Sequence, residues 1–238
     1  MKYYTLLLIV LLNNNLFAQV LTEGAVEYKV EYSNNPEGAS IKNMMMPTEM
    51  TLLFKNNLTR ADMPTNFIST KTITNARLGS VLILINVHDR KLALSMDEKQ
   101  IQHDLNDGPQ IKRIKHTGKT KTIAGYKGIE AWIYFETIIN PFDSIYILHD
   151  STKVFYSNAI GTKEINWNTK FRDLDGFLLE YELPQNDMIM HFTATTIKKT
   201  KVPNNEFLIP EGYRIMNQEE IEKELEGVMV DLKKLENE

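Results

Sequence analysis

The chain has 238 residues, 42% hydrophobic and 24% charged, with a formal net charge of −4 and no cysteine. Without Cys there are no disulfides, thiolate nucleophiles or Cys-ligated metals, and the core must be held by burial alone. The acidic balance opposes nucleic acid as a partner, because phosphate binding needs a concentrated basic surface.

Residues 1–18 read as a secretory signal peptide, with a basic start at Lys2, a mostly apolar run from Thr5 to Leu12, and the small residue Ala18 before Gln19. The run is less than half of the ~20 apolar residues a spanning helix needs. The mature protein is therefore expected to start at Gln19 and to be exported to the periplasm or beyond. It is also expected to be soluble and free of a lipid anchor, since no Cys is present to carry one. The remainder divides into a β domain at 19–216 and a helix at 217–238.

The first strand is Gly24–Tyr32, where Val26, Tyr28, Val30 and Tyr32 share a face and Glu27, Lys29 and Glu31 share the other. Asn34–Gly38 is a turn cluster, and Ala39–Thr48 carries Met44, Met45 and Met46. Glu49–Lys55 and Leu58–Met63 form a hairpin across Asn56-Asn57. Further strands are predicted at Phe67–Thr74, Val81–Val87, Leu92–Met96 and Ile111–His116, with short connections that favour an antiparallel meander over βαβ units. Within Thr117–Tyr134, Gly125 and Gly128 interrupt the strand pattern and point to a bulge or bend, hence a curved sheet. Ile145–His149, Lys153–Tyr156 and Glu164–Asn168 are the next strand candidates. The clearest hairpin follows: Phe177, Leu179, Tyr181 and Leu183 alternate with Leu178, Glu180 and Glu182. Past the turn at Pro184–Asp187, Met188, Met190, Phe192 and Ala194 share one face. Phe177, Tyr181 and Phe192 are expected to point into the core.

The period then changes. Asn217 followed by Glu220 is a capping box, Glu219 and Glu220 suit the N-terminal end of a helix dipole, and Lys233 and Lys234 suit the C-terminal end. Ile221, Leu225, Val228, Leu232 and Leu235 make a single apolar seam over a helix from about 218 to 235, despite Gly227. The seam either docks on the protein's own sheet or serves as a dimer contact or the lid of a cavity.

Glu23-Gly24, Thr51–Arg60, Thr117–Tyr126, Leu174–Tyr181 and Phe207–Tyr213 together resemble secreted Bacteroidetes proteins of a domain of unknown function, related to the GLPGLI family. The GLPGLI hexapeptide itself is replaced by Asp173–Leu179, and Gly128 stands where many relatives carry Cys. The resemblance implies a mainly β fold: one curved antiparallel sheet, a half-barrel of the LolA/LolB lipoprotein-carrier kind, with a C-terminal helix. In those carriers the half-barrel holds an acyl chain.

Candidate chemistry is sparse. The pairs His88-Asp89, His103-Asp104 and His149-Asp150 could hold a divalent ion, yet none has helical His-x-x-x-His spacing and turn chemistry explains each Asp, so no metal site is assigned. His116 and His191 read as polar-face strand residues. No Gly-x-Ser-x-Gly elbow, His-Glu-x-x-His or phosphate-cradling loop is present. The paired acids Asp173 and Asp175 lack a cleft spacing that would suit a glycosidase. No enzyme activity and no cofactor are expected. The methionines invite three readings: adaptable core filling, a lid over an apolar ligand, or thioether capture of Cu(I). As ligand-contacting residues the sequence nominates Met44, Met45, Met46, Met50, Trp132 and Phe177. Two function classes stay open. One is an exported module holding a lipid, a lipoprotein acyl chain or another apolar ligand; the other is a structural or interaction module of the cell envelope, with an envelope protein as partner and a self-filled core. Strands apolar on both faces, such as Val81–Val87, must be covered twice, by core on one side and by helix or ligand on the other.

Overall fold

The computed structural model describes residues 20–33, 46–87, 90–139, 146–185 and 188–236. The leader at 1–18, the Asn34–Gly38 turn, Met44, Met45 and the His88-Asp89 pair lie outside the described residues. Period-2 burial builds the first half of the sheet: β1 (Glu23–Ser33), β2 (Glu49–Lys55), β3 (Leu58–Pro64), β4 (Ile68–Asn75), β5 (Ser80–Val87) and β6 (Arg90–Met96) pair in sequence, each antiparallel to the last. The β2–β3 hairpin turns at Asn56, whose φ of 51° is left-handed, a conformation Asn tolerates well.

A helix that the sequence reading left out comes next, α1 (Glu98–Asp107). Only Ile101 and Leu105 give it apolar character, so no stripe signals it. Its start was legible nonetheless. The Asp97 side chain accepts from the Gln100 amide at 3.0 Å and the Gln100 side chain accepts from the Asp97 amide at 2.9 Å, a complete capping box.

The second half is again sequential: β7 (Gln110–Ile123), β8 (Tyr126–Ile139), β9 (Tyr146–Ser157), β10 (Phe177–Gln185) and β11 (Met188–Lys198). The two halves join where β11 pairs with β1, and the twelfth strand, β12 (Arg214–Met216), adds to β6 in parallel. The result is one twelve-stranded sheet, antiparallel except at that edge.

Several expectations need correcting. The Thr117–Tyr134 block is two strands, because Gly125 sits not in a bulge but in the two-residue turn Ala124-Gly125, where both φ angles are positive, as a tight hairpin requires. Gly128 lies within β8, where a Cβ would meet Ile123 Cδ1 at 3.2 Å and the Lys121 carbonyl at 3.3 Å. The register shifts fall elsewhere, at Glu27/Tyr28, Ile111/Arg113, His116/Thr120 and Leu178/Glu180. The two candidates at 145–149 and 153–156 are parts of one strand, β9. Glu164–Asn168 is no strand: Lys163–Asn166 is a 3₁₀ turn within a long loop.

Chain connectivity requires the sheet to curl. Ten inter-strand steps separate β6 from β7, about 48 Å if flat, yet only Asp97–Pro109 joins them, with α1 spanning roughly 15 Å and the flanks about 10 Å more. Contacts agree with this. The Phe54 ring on β2 packs 5.5 Å from the Phe177 ring on β10, three strands away.

Both faces are covered, as the two-sided strands required. On the convex side Leu84, Ile73 and Ala93 pack under Val202 and Phe207 of the segment after β11. Arg60 holds that segment by ion-pairing with Glu206 while it also binds Asp62. On the concave side the last helix, α2 (Gln218–Glu236), lays Ile221 and Val228, with Leu225 beside them, on Ile85, Val87 and Leu92. Its capping box is present: the Asn217 side chain accepts from the Glu220 amide at 2.9 Å and Glu220 accepts from the Asn217 amide at 3.0 Å.

Candidate functional site

The concave face holds a groove of about 320 Å³, within the range of small-molecule clefts, about 300–1,000 Å³. One wall comes from the first half of the sheet. There β2, β3 and β4 offer Met50 and Leu52, Ala61 and Met63, and Thr72 and Thr74, which alternate with residues directed at the convex core such as Leu53, Leu58 and Ile73. The opposite wall is β10, with Phe177, Leu178, Tyr181 and Leu183. Phe177 and Leu178 are adjacent, yet both line the groove, at 2% and 8% exposure, because the register shift between Leu178 and Glu180 upsets strict alternation.

The roof is the loop from Asn158 to Gly176, which supplies Asn168, Lys170 and Phe171. Buried Asn166 ties the middle of the loop to its C-terminal end, donating to the carbonyls of Leu174 at 3.2 Å and Gly176 at 2.8 Å. Asn168 donates across the groove to Thr74 Oγ1 at 3.4 Å, and Arg172 donates to the Gln110 side chain at 2.6 Å. Phe171 and Leu174, each 1% exposed, anchor the loop to the sheet. A Cβ at Gly176 would come within 2.3 Å of the Tyr156 ring, so the loop returns to β10 through a glycine.

Aromatic rings form a continuous row along this side. Phe171 meets Phe135 edge-on at 6.3 Å and Tyr181 at 5.9 Å, and Tyr181 stacks on Phe192 at 4.7 Å with the planes 1° apart. Tyr28, at 6.1 Å from Tyr181, is fixed by donating its hydroxyl to the Leu178 carbonyl at 2.7 Å. Tyr181 is half-buried by surface and lines the groove, and desolvation pushes its pKa up. Beyond Met63 and Leu183 the groove continues into a second depression of about 330 Å³, floored by Ile68, Met190 and Phe192.

The nominated residues separate. Met50, 6% exposed, and Phe177 line the groove. Met46 is half-buried outside its lining, near the Tyr32–Pro47 hydrogen bond of 2.8 Å. Trp132 lies on the other face of β8, between fully buried Ala131 and Ile133 and opposite Lys115 and Lys153. Of the His-Asp pairs, His103 sits on α1 with its ring 3.5 Å from Asp107, and His149 is 3.5 Å from Glu136. Sequence reasoning missed the roof. Its signal was a stretch dense in Asn, Thr, Asp and Gly in which Phe171 and Leu174 stand as isolated apolar anchors.

No protein-family model matches the chain, and no curated protein matches it. Among solved structures the chain is similar to LprF from Mycobacterium bovis, at 11% identity and a TM-score of 0.33, covering 76% of this chain and 89% of that one. A likeness that distant carries no argument about function. No described helix is long and apolar enough to cross a membrane.

Proposed function

We propose that the protein is a non-catalytic binding module of the cell envelope that holds an apolar chain in the concave groove. The observation that carries this reading is the groove's lining: between Met50, Leu52, Met63 and Leu183 on the walls and Phe171 on the roof, the polar groups are mainly Thr hydroxyls and Asn side chains already engaged in holding the roof. Such a surface binds by removing apolar area from water, with each 100 Å² contributing about 2.5 kcal/mol. Met50 and Met63 add side chains that adapt to a flexible ligand. An export role follows from the leader at residues 1–18.

The test is saturable uptake of a neutral fluorescent probe, N-phenylnaphthylamine, and its displacement by lipid. Ala61→Trp places an indole in the groove and is expected to abolish uptake while leaving the melting temperature near that of the parent. Unchanged uptake in Ala61→Trp would mean that the probe sits elsewhere. A second reading, an envelope interaction module, is favoured by the exposed side chains Ile138, Tyr146, Ile147 and Leu148 at the ends of β8 and β9. That reading expects no saturable uptake at all.

A further inference from the structure

One cation lines the groove, and none of the interactions above accounts for it. Lys170 extends from the roof with its ammonium 5.1 Å from the centroid of Phe135 and 5.2 Å from that of Phe171, inside the range of cation–π attraction. Among the described residues it takes part in no ion pair; the charges that act on it, Asp150 and Glu182, do so from beyond ion-pair distance. Several cations of comparable burial elsewhere on the molecule are matched, Arg60 with Asp62 and Glu206, Lys55 with Glu23 and Arg90 with Glu224, while Arg172 on the same loop points away to the Gln110 side chain. A cation kept partly out of water against ring faces, with its nearest carboxylates beyond ion-pair distance, regains only part of the hydration it loses. That cost is recovered when an anion arrives.

We propose that Lys170 anchors the head of the ligand, which is a single acyl chain bearing an anionic group, with the tail running from Phe171 toward Met50 and Met63. This deepens the reading of the groove as a binding site and rests on it. Three features support the assignment. Lys170 carries the one charge in the lining, so an anionic amphiphile has one preferred orientation. The groove's volume suits one chain rather than several. The aromatic row from Phe135 through Phe171 to Tyr181 leads from the ammonium into the apolar interior. Desolvation also lowers the Lys170 pKa, with Asp150 and then Glu182 opposing it, consistent with a cation that an incoming anion would stabilise.

The test uses the mature protein and N-phenylnaphthylamine, with palmitate, methyl palmitate, hexadecyltrimethylammonium and lysophosphatidate as competitors. Palmitate, lysophosphatidate or both are expected to displace the probe about tenfold more effectively than methyl palmitate, the order a charge-assisted hydrogen bond supplies. Whichever anion is stronger identifies a free fatty acid or a phospholipid as the source, and the cationic amphiphile should be weakest. Lys170→Gln is expected to erase the preference for the anion while leaving probe and methyl palmitate affinities unchanged; Lys170→Arg should retain it. Saturable probe uptake with equal displacement by palmitate and methyl palmitate would overturn the anchor but leave the groove intact. Absence of saturable uptake would overturn both. Loss of neutral as well as anionic binding in a folded Lys170→Gln protein would mean that Lys170 only props the roof, and would also overturn the anchor.

Discussion

Phe192 shows how much one side chain carries here. It is 2% exposed, stacks on Tyr181 and faces Val30 across the β1–β11 pairing, so it joins the strands that close the two halves of the sheet. Phe192→Ala is expected to cost about 3–5 kcal/mol in urea denaturation, because both the transfer term and the cavity left beside Tyr181 count. A change below about 1 kcal/mol would contradict the inward placement. The neighbouring positions were legible from alternation alone: Met188, Met190 and Ala194 are all buried on the same face. Alternation misplaced Leu178, which it set opposite Phe177; a single extra residue in one strand changes the parity of everything before it.

At the scale of elements, α2 is held by two kinds of contact. Ile221, Leu225 and Val228 of its apolar seam dock on β5 and β6, and Glu224 accepts from Arg90 at 2.5 Å and also pairs with Arg214 next to the helix start. The hydrogen bond from Arg214, with charge from both arginines, holds the Glu224 carboxyl below the ordinary carboxylate value of 4.5. A depressed folded pKa means that the contribution is present above the unfolded value and is lost as pH falls through the folded one. Glu224→Gln is therefore expected to lower the melting temperature at neutral pH, by a difference that shrinks as the pH drops below 4.5. A gap that stays constant on acidification would show that the ion pairs contribute nothing. The effect should be small, since solvent and salt screen ion pairs at the surface. The roof loop is a contrasting element. It is held within itself by successive turn hydrogen bonds and by Asn166, and on the sheet by Phe171 and Leu174.

For the whole molecule, the curl of the sheet brings β4 and β10, five strand steps apart, to opposite walls of one groove, a distance of about 24 Å on a flat sheet. Binding and stability therefore share the buried groove residues Met50 and Phe177, whose substitution will report on both, whereas half-buried Ala61 reports on binding. Address is a separate matter, which rests on the leader expected at residues 1–18. Protein recovered from a bacterial periplasm is expected to begin at Gln19 by intact mass, and a soluble exported product that retained residues 1–18 would refute the cleavage assignment.

The sequence by itself determined most strands, the β2–β3 and β10–β11 hairpins, the capped α2 and the need for cover on both faces of β5, because alternation, turn residues and caps act between neighbours in the chain. Phe177 was within its reach for the same reason, and Met50 as part of a methionine-rich segment. Tertiary structure decided the pairing of β1 with β11, in which Tyr28 faces Ala194, and the parallel edge made by β12. It also decided the roof, and the placing of Lys170 between Phe135 and Phe171. A flat and a curled sheet satisfy the same period-2 pattern. Only contacts between residues far apart in sequence, made when α1 links β6 to β7 and Phe171 enters the aromatic row, distinguish one from the other.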